Sequence, residues 1–181
     1  MKRHYLTLVS AAALFASPAF ADEHKGWVYN GLTGVGSVSE SGLSDNALAS
    51  NSSIGYRWGS VGFEIGHIFF AKFKDSVDVG GSPVVVDTKV DGWNTGVNFN
   101  HDFDEKWSMQ GRVGLFAWHN DGHVVAGGSR VSFSDKGKDW FAGASIDYKW
   151  RKHSSVGLGY TAFKTSDATI GMWGLHTEYR F

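Results

Sequence analysis

Two histidines four residues apart, His119 and His123, and the run His153-Ser154-Ser155 are where residue types and spacing first suggest chemistry. On a helix, imidazoles at i and i+4 share a face and can hold one zinc ion. Here the pair flanks Asn120-Asp121-Gly122 at the expected end of a strand, so without helical geometry the two rings are not expected on one side. A serine next to a histidine could supply a nucleophile and its base, but sequence neighbours seldom form that pair, and this run reads as a short turn. No catalytic residue, metal ligand or cofactor site is expected. What remains is a set of charged side chains set among apolar ones: Arg57, Glu64, Arg112, Asp147, Lys149, Glu178 and Arg180. Their chemistry would be ion pairing, either as a structural network or as a narrow, intermittently open ion path past Glu64 and Arg112.

The elements that must position these charges show best in the last stretch, IGMWGLHTEYRF. Every second residue back from Phe181 gives Phe181, Tyr179, Thr177, Leu175, Trp173 and Gly171; between them lie Arg180, Glu178, His176 and Gly174. That is a strand with one apolar and one charged face. Eight such segments run through the chain, and the spacers between them are alternately long and short. The first spans about residues 26–39 and is followed by an expected polar loop at residues 40–51. Gly59-Ser60, Asp104-Glu105-Lys106 and residues 151–154 read as tight turns. The second long connection places Gly80-Gly81-Ser82-Pro83 between valine-rich flanks, which predicts a hairpin projecting beyond the other strands. The third, residues 120–137, has its own Gly127-Gly128 tip.

Composition narrows the class. The 181 residues include 24 glycines, 2 prolines and no cysteine, and 15% are aromatic. Few prolines leave the backbone free to pair in strands. The start, Met1-Lys2-Arg3 with an apolar run to Phe15 and Ala19-Phe20-Ala21, reads as a secretory signal peptide at residues 1–21, leaving one domain at residues 22–181. The acidic residues then slightly outnumber the basic ones, which gives no basis for nucleic-acid binding. No mature apolar run approaches the roughly 20 residues of a membrane helix.

With odd strands running one way, the apolar-face aromatics sort by height. Phe69, Trp93, Trp140 and Trp173 fall toward the long connections; Trp58, Phe103, Trp107, Trp150, Tyr179 and Phe181 fall toward the short turns. Amphipathic rings favour the headgroup level, so two girdles indicate lipid outside and charge inside. The predicted fold is therefore all-β, an eight-stranded antiparallel up-and-down transmembrane β-barrel. Closure of such a barrel satisfies the backbone as lipid requires.

The runs GYRWGSVGFEIG at 55–66, WSMQGRVGLFAW at 107–118, FAGASIDY at 141–148 and the ending GMWGLHTEYRF resemble, in order, the transmembrane domain of the outer membrane protein A (OmpA) family. The resemblance implies both termini in the periplasm and an interior network in which an acid on the third strand exchanges basic partners. Glu64 matches that acid, Arg112 an interior arginine and Asp147 a second acid, while Asn98 and Gly157 stand where the pattern has basic residues. The family's peptidoglycan-binding domain has no counterpart in these 181 residues.

The expected function is a structural and surface role in the outer membrane of a Gram-negative cell, without enzymatic activity. Small outer-membrane barrels include enzymes acting on lipid A through Ser, His and an acid; His67 is the nearest candidate here, and no such constellation accompanies it. The alternatives are an adhesin or host-factor-binding barrel acting through its long loops, and a narrow pore. Expected partners are membrane lipid and lipopolysaccharide, the barrel assembly machinery through the last strand, and a host or surface ligand at the loops.

Overall fold

The computed structural model describes residues 25–40, 43–79, 82–126, 129–166 and 168–181. The leader at 1–21 and the tips Gly80-Gly81 and Gly127-Gly128 lie outside the described residues. The chain forms β1 (Lys25–Glu40), β2 (Leu43–Trp58), β3 (Val61–Phe70), β4 (Phe73–Val79), β5 (Ser82–Asp102), β6 (Trp107–Ala126), β7 (Ser129–Arg151), β8 (Ser154–Lys164) and β9 (Thr169–Arg180). Segments β3 and β4 are one interrupted strand, since both pair with β5. Eight antiparallel strands thus close into a ring through β1–β9 and β3–β5.

Closure follows from the side-chain alternation. In β3 the burial alternates residue by residue, with Gly62, Glu64, Gly66, Ile68 and Phe70 facing the lumen. Outward residues remain exposed although apolar, among them Phe63, Trp93, Leu115, Trp140, Leu158 and Trp173. From Trp93 on β5 to Phe103 just past its end, at about 3.4 Å per residue and a tilt near 40°, the apolar band is roughly 25 Å tall, the thickness of a barrel's lipid-facing belt.

Three boundaries differ from the sequence reading. Residues 43–51, expected as loop, belong to β2, whose ladder with β1 runs from Lys25↔Trp58 to Glu40↔Leu43. Polarity misled there because Ala47, Ala49, Asn51 and Ser53 are small or polar residues that line the lumen. Residues 120–137 likewise continue β6 and β7 as ladder up to Ala126↔Ser129. The predicted projecting hairpin is present, as Phe73–Val79 pairs with Ser82–Thr88. It is joined to β6 and β7, so β4–β5–β6–β7 forms a four-stranded sheet beyond the Trp93 girdle. Between Phe69↔Asp91 and Phe73↔Thr88 the register slips by one residue, the signature of a bulge. The extra residue restores inward parity, so Phe70 and Phe73 both enter the lumen.

Candidate functional site

The lumen divides into a polar layer toward the short turns and an apolar layer toward the projecting sheet. Five of the sequence-predicted charges, Arg57, Glu64, Arg112, Asp147 and Glu178, are buried in the polar layer; Lys149 and Arg180 sit half-buried near its mouth. Arg57 clamps Glu178 with both terminal nitrogens, at 3.0 and 2.7 Å. Arg180 Nε adds a donor at 2.8 Å and Gln110 Nε2 another at 3.1 Å. Glu64 forms an ion pair with Arg112 at 2.5 Å and accepts the Asn98 amide at 3.1 Å. Asn98 also accepts from Arg57 at 3.5 Å, which links the two clusters. Arg112 reaches Asn51 Oδ1 at 3.4 Å.

Asp147 belongs to a separate group. Its carboxylate accepts Ser145 Oγ at 2.6 Å and faces His176 Nδ1 at 2.6 Å. A serine, an aspartate and a histidine therefore meet, but with the carboxylate in the middle. Nucleophilic catalysis needs the imidazole between serine and acid, where it can take the hydroxyl proton. This arrangement instead orients a carboxylate. Gly157 makes room for it, since a Cβ there would stand 2.6 Å from Asp147 Oδ1. Lys149 pairs with Asp102 at 2.7 Å.

Sequence reasoning named no role for His176, Gln110, Asn98 or Asp102 in this network. Their inward parity was the available signal. Which inward residues meet across the lumen depends on strand stagger, which the sequence leaves open.

The apolar layer was not foreseen. Leu32, Ile68, Phe70, Phe73, Phe116, Phe141, Phe163, Ile170 and Met172 are buried together. Phe163 is central, with ring centroids 6.0, 5.1 and 5.8 Å from Phe70, Phe116 and Phe141. Glycines admit the rings: a Cβ at Gly36 would lie 2.6 Å from Phe70, one at Gly92 2.7 Å from Phe116 and one at Gly114 2.8 Å from Phe141. Arg112 joins the layers, its guanidinium 5.2 Å from the Phe141 centroid.

The outward aromatics largely follow expectation. Trp58, Trp93, Trp107, Trp140, Trp150 and Trp173 are exposed on the outer wall. Tyr179 departs from it: the residue is only 8% exposed, with the Phe181 ring 5.0 Å away. Its outward parity holds, but neighbouring side chains cover it. Trp27, whose strand register the sequence left loose, joins the lower girdle and packs edge-on to Tyr56.

The histidine expectation is corrected in its geometry. Because β6 continues through Ala126, His119 and His123 do share a face. Four residues along a strand separate them by about 13 Å, however. Each meets a different aspartate, His119 with Asp121 at 3.0 Å and His123 with Asp87 at 3.4 Å. Among the described residues no three His, Cys, Asp or Glu side chains converge as a metal site. His153 lies in the β7–β8 turn, where its carbonyl accepts the Arg180 amide.

No family model matches the chain, and no curated protein sequence matches it. Solved structures do. Ail, the attachment invasion locus protein of Yersinia pestis, matches over 87% of this chain and 99% of its own, with TM-score 0.60 and 20% identity. Ail has also been solved in complex with the heparin analogue sucrose octasulfate. Neisserial surface protein A matches over 86% and 97%, with TM-score 0.63 and 15% identity. The outer membrane protein OprG from Pseudomonas aeruginosa matches over 87% and 98%, with TM-score 0.59 and 12% identity. At these identities the likeness is one of fold, and the fold is a closed transmembrane barrel of eight antiparallel up-and-down strands.

Proposed function

We propose that this protein is exported by its leader to the Gram-negative outer membrane and acts there as a structural, surface-displaying barrel. The carrying observation is the division of labour along one set of strands. The lumen is closed by the phenylalanine layer, while β4–β7 run on past the upper girdle as a sheet. A closed barrel that builds a sheet outside the lipid is suited to presenting a surface. In this reading the short turns and both ends of the domain face the periplasm. Lipid and lipopolysaccharide pack on the outward wall, and the ending at Tyr179 and Phe181 is read by the barrel assembly machinery. No enzymatic activity is proposed.

The adhesin or host-factor reading is a second possibility favoured by one observation. Among the described residues, β7 above Phe141↔Phe163 pairs with β6 alone, so residues 129–140 present a free strand edge. Such an edge can accept a partner's strand. Ail, whose name records attachment and invasion and which has been solved with a heparin analogue, shares the fold. A conducting path past Glu64 and Arg112 receives less support, because it would have to cross the apolar layer.

Epitope tags test the display reading. A tag inserted between residues 126 and 129 is expected to bind antibody on intact cells, and one at Gly59-Ser60 only after permeabilisation. Equal labelling of both on intact cells would reject the orientation. Shortening the sheet by removing residues 77–86 then tests recognition. Unchanged binding to host cells or matrix by a folded variant removes the adhesin reading.

A further inference from the structure

We infer that the short-turn mouth of the barrel is a binding site for a phosphate group. A cavity of about 250 Å3 opens there beside the β1–β9 seam. Its wall combines residues from both faces of the barrel: Lys25 and Trp27 from the outer surface, Arg57, Asn100 and Arg180 from the lumen, and Lys152 from the β7–β8 turn. The cavity therefore wraps the rim and is reachable both from solvent and from the headgroup level marked by Trp27 and Trp58.

Charge decides what would enter. Arg57 and Arg180 share one carboxylate, Glu178, so that triad keeps a net positive charge. Asp102 on the wall is matched by Lys149. Lys25 and Lys152 add to the excess, which survives even when the main-chain carboxylate of Phe181 is counted against it. One donor at the back is already ordered: Arg57 is 4% exposed, with its terminal nitrogens held by Glu178. Guanidinium forks suit tetrahedral oxyanions, and a donor held in place by another bond costs less entropy to recruit. Nothing comparable serves a cation, because the side-chain carboxylates Glu178 and Asp102 near the wall already have basic neighbours.

A phosphate at this level has two sources, a free anion or a phospholipid phosphodiester, and one experiment separates them. In a neutral, sugar-headed detergent, inorganic phosphate is titrated while backbone amide shifts are followed by NMR. Saturable shifts are expected at Gly26, Val28, Ser60, Asn100 and His153, and sodium chloride at equal ionic strength should not reproduce them. The double variant Lys25→Gln/Lys152→Gln changes two exposed side chains outside the ion network. It should keep heat-modifiable migration and lose affinity by roughly tenfold or more. In phospholipid nanodiscs free of phosphate buffer, the same amides shifted in advance and deaf to added phosphate would assign the lipid headgroup. Continued response to phosphate would assign the free anion. Linear, scattered shifts, equal shifts with chloride, or unaltered titration of the double variant would overturn the inference.

Discussion

The two layers of the lumen are lined by the same strands and held by different forces. Along β3 the inward face passes from Glu64 to Ile68 and Phe70; along β6 from Gln110 and Arg112 to Phe116; along β9 from Glu178 and His176 to Met172 and Ile170. The polar layer is directional. Its arginines and carboxylates fit only with particular partners, so a strand slipped by one residue would turn them to lipid. The apolar layer is non-directional and gains from close packing, which also excludes water. One layer fixes the register, and the other seals the barrel.

The sharpest way to break this contrast is to remove one partner of a buried pair. Glu178→Ala leaves Arg57 and Arg180 without their carboxylate, and a loss of about 3–5 kcal/mol is expected in urea unfolding from micelles. Replacing both members of the central pair, Arg57→Met with Glu178→Leu, should recover much of that loss, because two buried charges disappear together. If the single variant unfolds like the native chain, the polar layer does not govern the fold.

The apolar layer should respond in a second way. Phe163→Ala removes the ring that meets Phe70, Phe116 and Phe141, and a destabilisation of about 3 kcal/mol is expected from the lost burial and the cavity. Unlike the loss at Glu178, this one should be accompanied by ion conductance in planar bilayers, where the native chain is expected to pass no steady current. Conductance in the native chain, abolished by Glu64→Ala, would instead favour the pore and overturn the sealing role.

A milder test uses a glycine beneath one of the rings. Gly36→Ala places a methyl against the buried Phe70 ring, and a cost of about 1–3 kcal/mol is expected from overpacking. The same change at Gly111, where a Cβ would meet nothing within 4 Å, should be nearly neutral and serves as the control.

Sequence parity reached the polar layer more easily than the apolar one. A charge between two apolar neighbours, as at Glu64 or Arg112, declares which face is the lumen. In Ile68-Phe69-Phe70 all three residues are apolar, so although alternation turns Phe69 outward, no residue type marks Ile68 and Phe70 as members of a packed inner layer. The bulge after Phe70 then shifts the parity that would have located Phe73. Partner choice was hidden for another reason. Asp147 meets Ser145, two residues back along β7, and His176, two strands away in the same register row, because Gly157 between them carries no side chain. The extent of β2, β6 and β7 was underread because polar residues were taken as loop where the ladder in fact continues to support them.

The smallest expected effect lies outside the wall and calibrates the polar layer against water. Asp104, in the turn between β5 and β6, accepts the amides of Lys106 and Trp107 on one carboxylate oxygen, each at 2.7 Å. Those two backbone bonds, helped by the nearby Lys149 and Lys106 charges, hold its pKa below the usual carboxylate value. A lowered folded pKa means that the charged form favours the folded state. Its contribution is complete above the unfolded pKa and is lost as the pH falls through the folded one. Asp104→Asn keeps an oxygen acceptor and removes the charge. The native chain should therefore be slightly the more stable at neutral pH, and the two should converge in acid when unfolding is followed across pH. A gap that stays constant into acid would mean that the turn depends on geometry alone. A gap as large at neutral pH as that of Glu178→Ala would mean that burial adds nothing to a bonded carboxylate, and the contrast between wall and water would fail.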